Sequence, residues 1–409
     1  MKYCPLLILL SLMVTPLSAQ MDAARELFDR YDSYKLAAIN SRRFTQSQML
    51  GWVRPLLERG RITSSSVGLS AEGRTINLLS FGDGPTKVLL WSQMHGDEPT
   101  ATMALMDILN FFALHPGHPL VETIRKDLTL LIVPMLNPDG AERFQRRTVQ
   151  LIDLNRDALK LETAEARILK SIRDRYRPEF GFNLHDQDPR YTVGSTKEIS
   201  ALALLAPATD VPRLDNHVRR RAKLVAAGLA DAMNQFIPGH VSRYDDTFEP
   251  RAFGDNIQKW GTSTVLVESG GWMGDREKMF LRKLNFVGIL SSLHSIATGE
   301  YEKADLHSYE QLPFNSKNCY DMIFRNVLFQ PPSNMSPVRL DVGVNLEEKQ
   351  DSITGELILV GKIEDLGDLS TFGAFEEYDC EGTILDSSVI DMEKRMRREE
   401  FLSVIRRKR

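Results

Sequence analysis

Two rhythms of apolar positions run along the chain. Val88–Gln93, Leu128–Pro134, Ile199–Ala206 and Ser263–Val267 are mostly apolar runs, as expected of strands buried on both faces. Phe180–Leu184 is a shorter run of the same kind. Between them, a segment starting near Pro99 and ending before His115, then Thr163–Tyr176, Leu214–Phe236 and Lys278–Thr298, show apolar residues at helical spacing. Upstream, Asp22–Tyr34 and Thr45–Glu58 share that spacing, and Ile62–Phe81 reads as two extended segments around a turn at Glu72-Gly73. Strands alternating with helices predict an α/β fold class, a mostly parallel mixed sheet sandwiched by helices.

The pattern changes near Glu300. Met322–Phe329, Val338–Val344 and Gly355–Lys362 look like strands bounded by "QPPSN" and "EEKQDSITG", which predicts a small β-rich C-terminal domain over 299–391. Residues 392–409 follow as a charged helical tail ending in "RRKR", packed by Met392, Met396 and Leu402. The first nineteen residues, "MKYCPLLILLSLMVTPLSA", have an early lysine, a short apolar core and small residues at Ser18 and Ala19. They read as a signal peptide cleaved after Ala19, too short to span a membrane comfortably. The catalytic unit is then 20–298, and the protein is expected to be exported, either periplasmic or secreted, with no transmembrane segment in the mature chain. Only Cys319 and Cys380 remain after cleavage; in an exported protein such a pair leaves a disulfide open, and spacing does not decide it.

At 409 residues, two domains are expected. A charged fraction of 26% and a net charge of −4 offer no concentrated basic face for nucleic acid.

Chemistry gathers at the predicted strand ends. Met94–Ala101, "MHGDEPTA", follows one strand and precedes a helix, the carboxyl-edge position where α/β proteins place their sites. His95 and Glu98 have the H-x-x-E spacing that lets an imidazole and a carboxylate reach one metal ion. Further along, "NLHDQ" delivers His185, "LVESGG" delivers Glu268, and "NPDG" and "DLNRD" surround Asn155 and Arg156. Two imidazoles and a carboxylate form the ligand set of a catalytic zinc that keeps one position for water. A second carboxylate outside the ligand set must then move the water's proton, and Glu268 is the candidate. Arginines nearby would stabilise an oxyanion and grip a carboxylate. Asp97 could orient His95 or simply start a helix; His115 and His118, in "HPGHP", read as surface residues.

The ordered set H-x-x-E, N-P-D-G, D-x-N-R, a strand-borne His and a late Glu resembles the zinc carboxypeptidase family, over roughly Ile62 to Trp272. "GLSAEGRTI" resembles the stretch that family carries before its first ligand. The resemblance implies that His95, Glu98 and His185 bind one zinc ion and that Glu268 is general base, then general acid. It implies that Asn155 and Arg156 hold the substrate's terminal carboxylate and that Asp153 accepts a hydrogen bond from a ligand histidine. Arg146, with Arg147 as the fallback, would polarise the scissile carbonyl. Tyr244 lies at about the family's distance for a substrate-closing tyrosine, though "RYDDTFEPRAFGD" does not resemble its surroundings there. Asp255 lies where a side-chain pocket could be lined.

The expected function is a zinc metallocarboxypeptidase that hydrolyses the C-terminal bond of a peptide substrate, with cell-wall peptide among the candidates. One alternative is a zinc deacylase or desuccinylase acting on N-acyl amino acids. Another is a non-catalytic binding module. The partner of the β-rich domain is unknown.

Overall fold

The computed structural model describes residues 16–331, 335–351, 354–386, 392 and 394–406. Most of the expected signal peptide, residues 1–15, and the last three residues of the tail lie outside them. Two helices, α1 (Pro16–Asp29) and α2 (Tyr31–Tyr34), precede α3 (Gln46–Leu57), whose start is closed by a reciprocal capping box between Thr45 and Gln48.

One eight-stranded sheet organises the larger part of the chain. Its strands are β1 (Ile62–Leu69), β2 (Thr75–Phe81), β3 (Thr86–Trp91), β4 (Leu128–Val133), β5 (Phe180–Asp186), β7 (Leu202–Leu205), β8 (Val241–Arg243) and β9 (Ser263–Ser269), with the two-residue β6 (Thr192–Val193) outside it. They lie in the order β1-β2-β4-β3-β5-β9-β7-β8. The central four, β4, β3, β5 and β9, pair in parallel, while β1–β2, β2–β4 and β7–β9 are antiparallel. This is the mixed sheet expected from the continuous apolar runs.

Helices cover both faces. On one lie α4 (Thr100–Leu114), α5 (Pro119–Asp127), α8 (His217–Asn234) and α10 (Met279–Thr298), against Val88, Leu90, Phe182, Leu184, Val265 and Val267. On the other, α7 (Ala164–Tyr176) and α9 (Phe253–Lys259) pack on Leu89, Trp91, Leu131 and Val133. Every residue of α4 except Leu114 is buried, so it is apolar all round, as a helix deep in a large core must be. Among the helices not anticipated are α5, α9 and α6 (Pro138–Arg143), the last formed by the "NPDG" stretch. Asn137 caps α6 by accepting the Gly140 N–H at 2.9 Å, and proline at the first helical position suits that start. His115 and His118 are half-buried instead of surface residues, packed on Tyr34 and Phe111.

After the short α11 (Leu306–Glu310) and β10 (Asn315–Ser316), a second, β-rich sheet contains β11 (Cys319–Gln330), β12 (Val338–Gln350), β13 (Leu357–Gly367), β14 (Gly373–Asp379), β15 (Ile384–Asp386) and β16 (Met396–Arg397). Its order is β14-β11-β12-β13-β16, with β15 on β11. The tail helix, α12 (Arg398–Arg406), begins later than expected because Met396 and Arg397 pair with β13 first. Cys319 and Cys380 are both buried free thiols, which answers the question their spacing left open. Burial pushes them up to about 12 and about 11, so neither is a ready nucleophile.

The second sheet docks at the carboxyl edge of the first. Arg190, five residues after His185, reaches Asp321 of β11 at 3.0 Å. Glu348 of β12 receives Arg42, Arg43 and Arg276 at 2.7, 2.7 and 3.1 Å. Gly271, three residues after Glu268, lies so close to Phe375 of β14 that a Cβ there would come within 2.9 Å of its ring.

Candidate metal centre at the sheet's carboxyl edge

The parallel register sets the site. His185 and Glu268 face one another as neighbours on β5 and β9, and side chains alternate along a strand. Both therefore project on the face carrying α7 and α9, while Asp186 projects to the face of α10. The turn after β3 adds His95 and Glu98. His95, Glu98 and His185 are all buried, and one donor atom from each lies within 4.8 Å of the other two. The two Nδ1 atoms each stand 2.7 Å from a different Glu98 oxygen. The far nitrogen of His95, Nε2, meets Asp153 Oδ1 at 3.1 Å, the carboxylate–histidine arrangement that orients a metal ligand. Two inward-facing imidazole nitrogens and a carboxylate, all desolvated, suit zinc.

Electrostatics agree with a site built for a cation. Burial disfavours a charged Glu98, yet His95 and His185 hold it well below the usual carboxylate range. Burial likewise opposes protonation of His95, but Glu98 and then Asp153 outweigh it and hold the imidazole at about 9. Burial lowers His185. Glu268 is pushed well above its ordinary value, first by burial and then by the Glu98 charge.

The two candidate arginines differ in where they reach. Arg146 Nη1 donates to Glu98 Oε1 at 2.9 Å, while Nε and Nη2 reach Asp153 Oδ2 at 3.3 and 3.2 Å. Arg147 instead donates to the Leu151 carbonyl at 3.0 Å. Asn155 Oδ1 accepts the Phe253 N–H at 2.8 Å, which ties its loop to α9. Arg156 is exposed and faces Glu249 at 3.5 Å, whereas Asp157 is occupied by Thr163 and Glu162. Asp97 fills neither role considered for it: both His95 nitrogens are taken by Glu98 and Asp153, and α4 starts three residues beyond Asp97. Tyr244 follows β8, and its hydroxyl is raised by burial and then by the neighbouring charge of Glu268. That places it within electrostatic reach of the centre.

Asp255 is buried, and its Oδ1 accepts the Glu249 N–H at 3.0 Å. It shapes the turn into α9, and Glu249 is the acid that meets Arg156. Burial lifts Asp255 to about 7. An acid that holds its proton more tightly folded than unfolded costs stability as pH rises from about 4 through 7. Asp255→Asn keeps the accepting oxygen and removes the charge. It is expected to raise the unfolding temperature at pH 8 and leave it nearly unchanged at pH 3.5. Scanning calorimetry checks this, and no gain at pH 8 would contradict it.

Two ties around the centre had no counterpart in the sequence reading. Asp186, immediately after His185, binds Lys278 at 3.0 Å and Thr100 at 2.6 Å. Arg190 holds Asp188 through Nε at 2.8 Å as well as Asp321. An acid directly after a strand-borne histidine was the visible hint; its partners were not.

Fold and site together define an α/β protein with a candidate metal centre at the carboxyl edge of its sheet. Residues 52–188, a stretch that bears all three candidate ligands, match the family model described as zinc carboxypeptidase. The chain is 28% identical over 145 residues to Probable carboxypeptidase 2 of Arthroderma benhamiae, covering 34% of this chain and 27% of that protein. It is 27% identical over 145 residues to Carboxypeptidase 2 of Trichophyton tonsurans, covering 34% and 26%. The match thus spans about a quarter of these relatives' own length. In overall fold it is similar to a metallo-carboxypeptidase from Burkholderia cenocepacia, with a TM-score of 0.50 and 16% identity over 63% of this chain and 70% of that one. Bovine thrombin-activatable fibrinolysis inhibitor, in complex with tick carboxypeptidase inhibitor, gives 0.51 and 14% over 63% and 98%.

Proposed function

We propose that the protein is a zinc metallocarboxypeptidase that releases the C-terminal residue of peptides. The observation that carries this is the convergence of His95, Glu98 and His185, with Glu268 beside them on the adjacent strand. When bound there, zinc would acidify a water and polarise a carbonyl.

The chain's own residues supply the remainder. A Glu268 carboxylate with raised proton affinity takes the water's proton and later gives it to the departing amine. The Arg146 guanidinium, held at the edge of the centre by Asp153, sits where negative charge on the carbonyl oxygen would be stabilised. Asn155 keeps its amide NH2 for a substrate carboxylate once Phe253 has taken its oxygen. Arg156 is exposed and supplies the matching charge. The N-terminal segment supports export to the periplasm or beyond, and no helix among the described residues is long and apolar enough to cross a membrane. Cell-wall peptides accordingly belong among the substrates to be tried.

The test is a panel of C-terminally varied peptides and N-acyl amino acids, with zinc-loaded and chelator-treated protein. Zinc-dependent release of the last amino acid is expected. Cleavage of the N-acyl amino acids alone would make the protein a deacylase, and binding without turnover would make it a binding module.

A further inference from the structure

A second polar cluster lies on the opposite face of the sheet from the metal centre, at the same level. Lys278 and Asp186 form a buried ion pair at 3.0 Å, their side chains 10% and 6% exposed. Such burial needs good geometry and additional hydrogen bonds to be tolerated. They are present, and each leads to an element carrying a residue of the centre. Asp186 follows His185 on β5, and its backbone N–H donates to Glu98 Oε2 at 3.2 Å. Its Oδ2 also accepts from Thr100 at 2.6 Å, at the head of α4 and two residues after Glu98. The Lys278 ammonium reaches the Ser269 carbonyl at 3.4 Å, next to Glu268 on β9. Ser269 is held further by Asn285 Nδ2 at 2.8 Å. Lys278 itself stands at the entry to α10 with a left-handed φ of 57°, where a lysine is strained unless its surroundings hold it.

We infer that Lys278 is a positioning residue. Its ammonium, clamped by Asp186 and the Ser269 carbonyl, sets the spacing between the ends of β5 and β9, and so between His185 and Glu268. Through Asp186 it also fixes Glu98. Lys278 touches neither substrate nor metal. A preorganised centre depends on such support, because small misplacement of catalytic groups costs rate steeply. The inference rests on the carboxypeptidase reading for its kinetic consequence, but the geometric consequence is independent of turnover.

Lys278→Met retains an unbranched side chain without the charge. In protein that is folded by circular dichroism at the assay temperature, kcat is expected to fall at least tenfold with KM within threefold. Zinc affinity, measured by chelator competition, is expected to weaken at least tenfold. Because this variant strands the Asp186 carboxylate, Asp186→Asn/Lys278→Met is measured beside it and decides the matter alone should the single variant fail to fold. The double variant removes both buried charges. Recovery of its unfolding temperature without recovery of kcat or zinc affinity would separate positioning from plain stability. A kcat and a zinc dissociation constant both within twofold of the unaltered protein in the folded variant would overturn the inference. If the unaltered protein binds zinc yet cleaves no peptide, the carboxypeptidase reading fails and the ratio of zinc dissociation constants still decides Lys278. If it binds no zinc, both fall.

Discussion

Glu268→Gln is expected to lower kcat by about 10²–10⁴-fold, the range a positioned general acid–base group supplies, while KM and zinc content stay close to those of the unaltered protein. Glutamine matches the shape of the side chain and cannot accept the water's proton. Glu268 is buried beside Glu98, so its carboxyl has the raised proton affinity that proton shuttling at neutral pH requires. It is not one of the three donors that converge, so its replacement leaves them in place. Steady-state kinetics together with metal analysis separate the possibilities. Loss of zinc along with activity would move Glu268 into the ligand set, and retained turnover would remove it from the chemistry altogether.

The largest stability effect is expected away from the centre, at Asp107. This carboxylate sits in the middle of α4 with its side chain fully buried, paired with Arg282 of α10, whose side chain is 2% exposed. Tyr31 donates its hydroxyl to Asp107 at 2.7 Å, the Leu36 N–H donates at 2.7 Å, and Arg282 Nε donates at 2.7 Å. Arg282 also holds the carbonyls of Ile39 and Leu36 at 2.8 and 2.9 Å. One ion pair thus joins the N-terminal helices to α4 and α10. Asp107→Ala leaves a guanidinium buried without its counter-charge, and breaking a buried pair from one side costs about 3–5 kcal/mol. Asp107→Ala combined with Arg282→Met is expected to lose less, since no unpaired charge remains. Urea unfolding of the three proteins tests this. A loss under about 1 kcal/mol for Asp107→Ala would place the pair among those that solvent already screens.

Both effects bear on what could be read before the fold was known. His95 and Glu98 were legible because their spacing is local, three residues apart on one turn. His185 and Glu268 were legible because continuous apolar runs announce strands, and polar residues ending such runs fall at the sheet's edge. Arg146 and Arg147 could not be separated, since adjacent residues differ only in the direction the backbone gives them. Asp107 and Arg282 were visible in a weaker way: each is a charge inside an apolar helical run, where charges are rarely left unpaired. Nothing local says that they pair with one another across 175 positions. The same holds for Lys278, which reads as a charged helix start. Glu348, gathering Arg42, Arg43 and Arg276, sits in a stretch whose composition suggests only a solvated strand end.

By itself the chain's pattern determined the α/β class, the edge of the sheet where the candidate site gathers, the candidate donor set and the presence of a second β-rich unit. These follow from periodicity and from side-chain chemistry, both properties of short segments. The tertiary structure alone decided strand order, the contact of Arg146 instead of Arg147 with Glu98, the free state of Cys319 and Cys380, and the docking of the second sheet on the rim. It also decided the two buried ion pairs, one joining α4 to α10 and the other joining the end of β5 to the start of α10. Those depend on which segments become neighbours, and contacts between residues far apart in sequence are set by the packing of the whole chain.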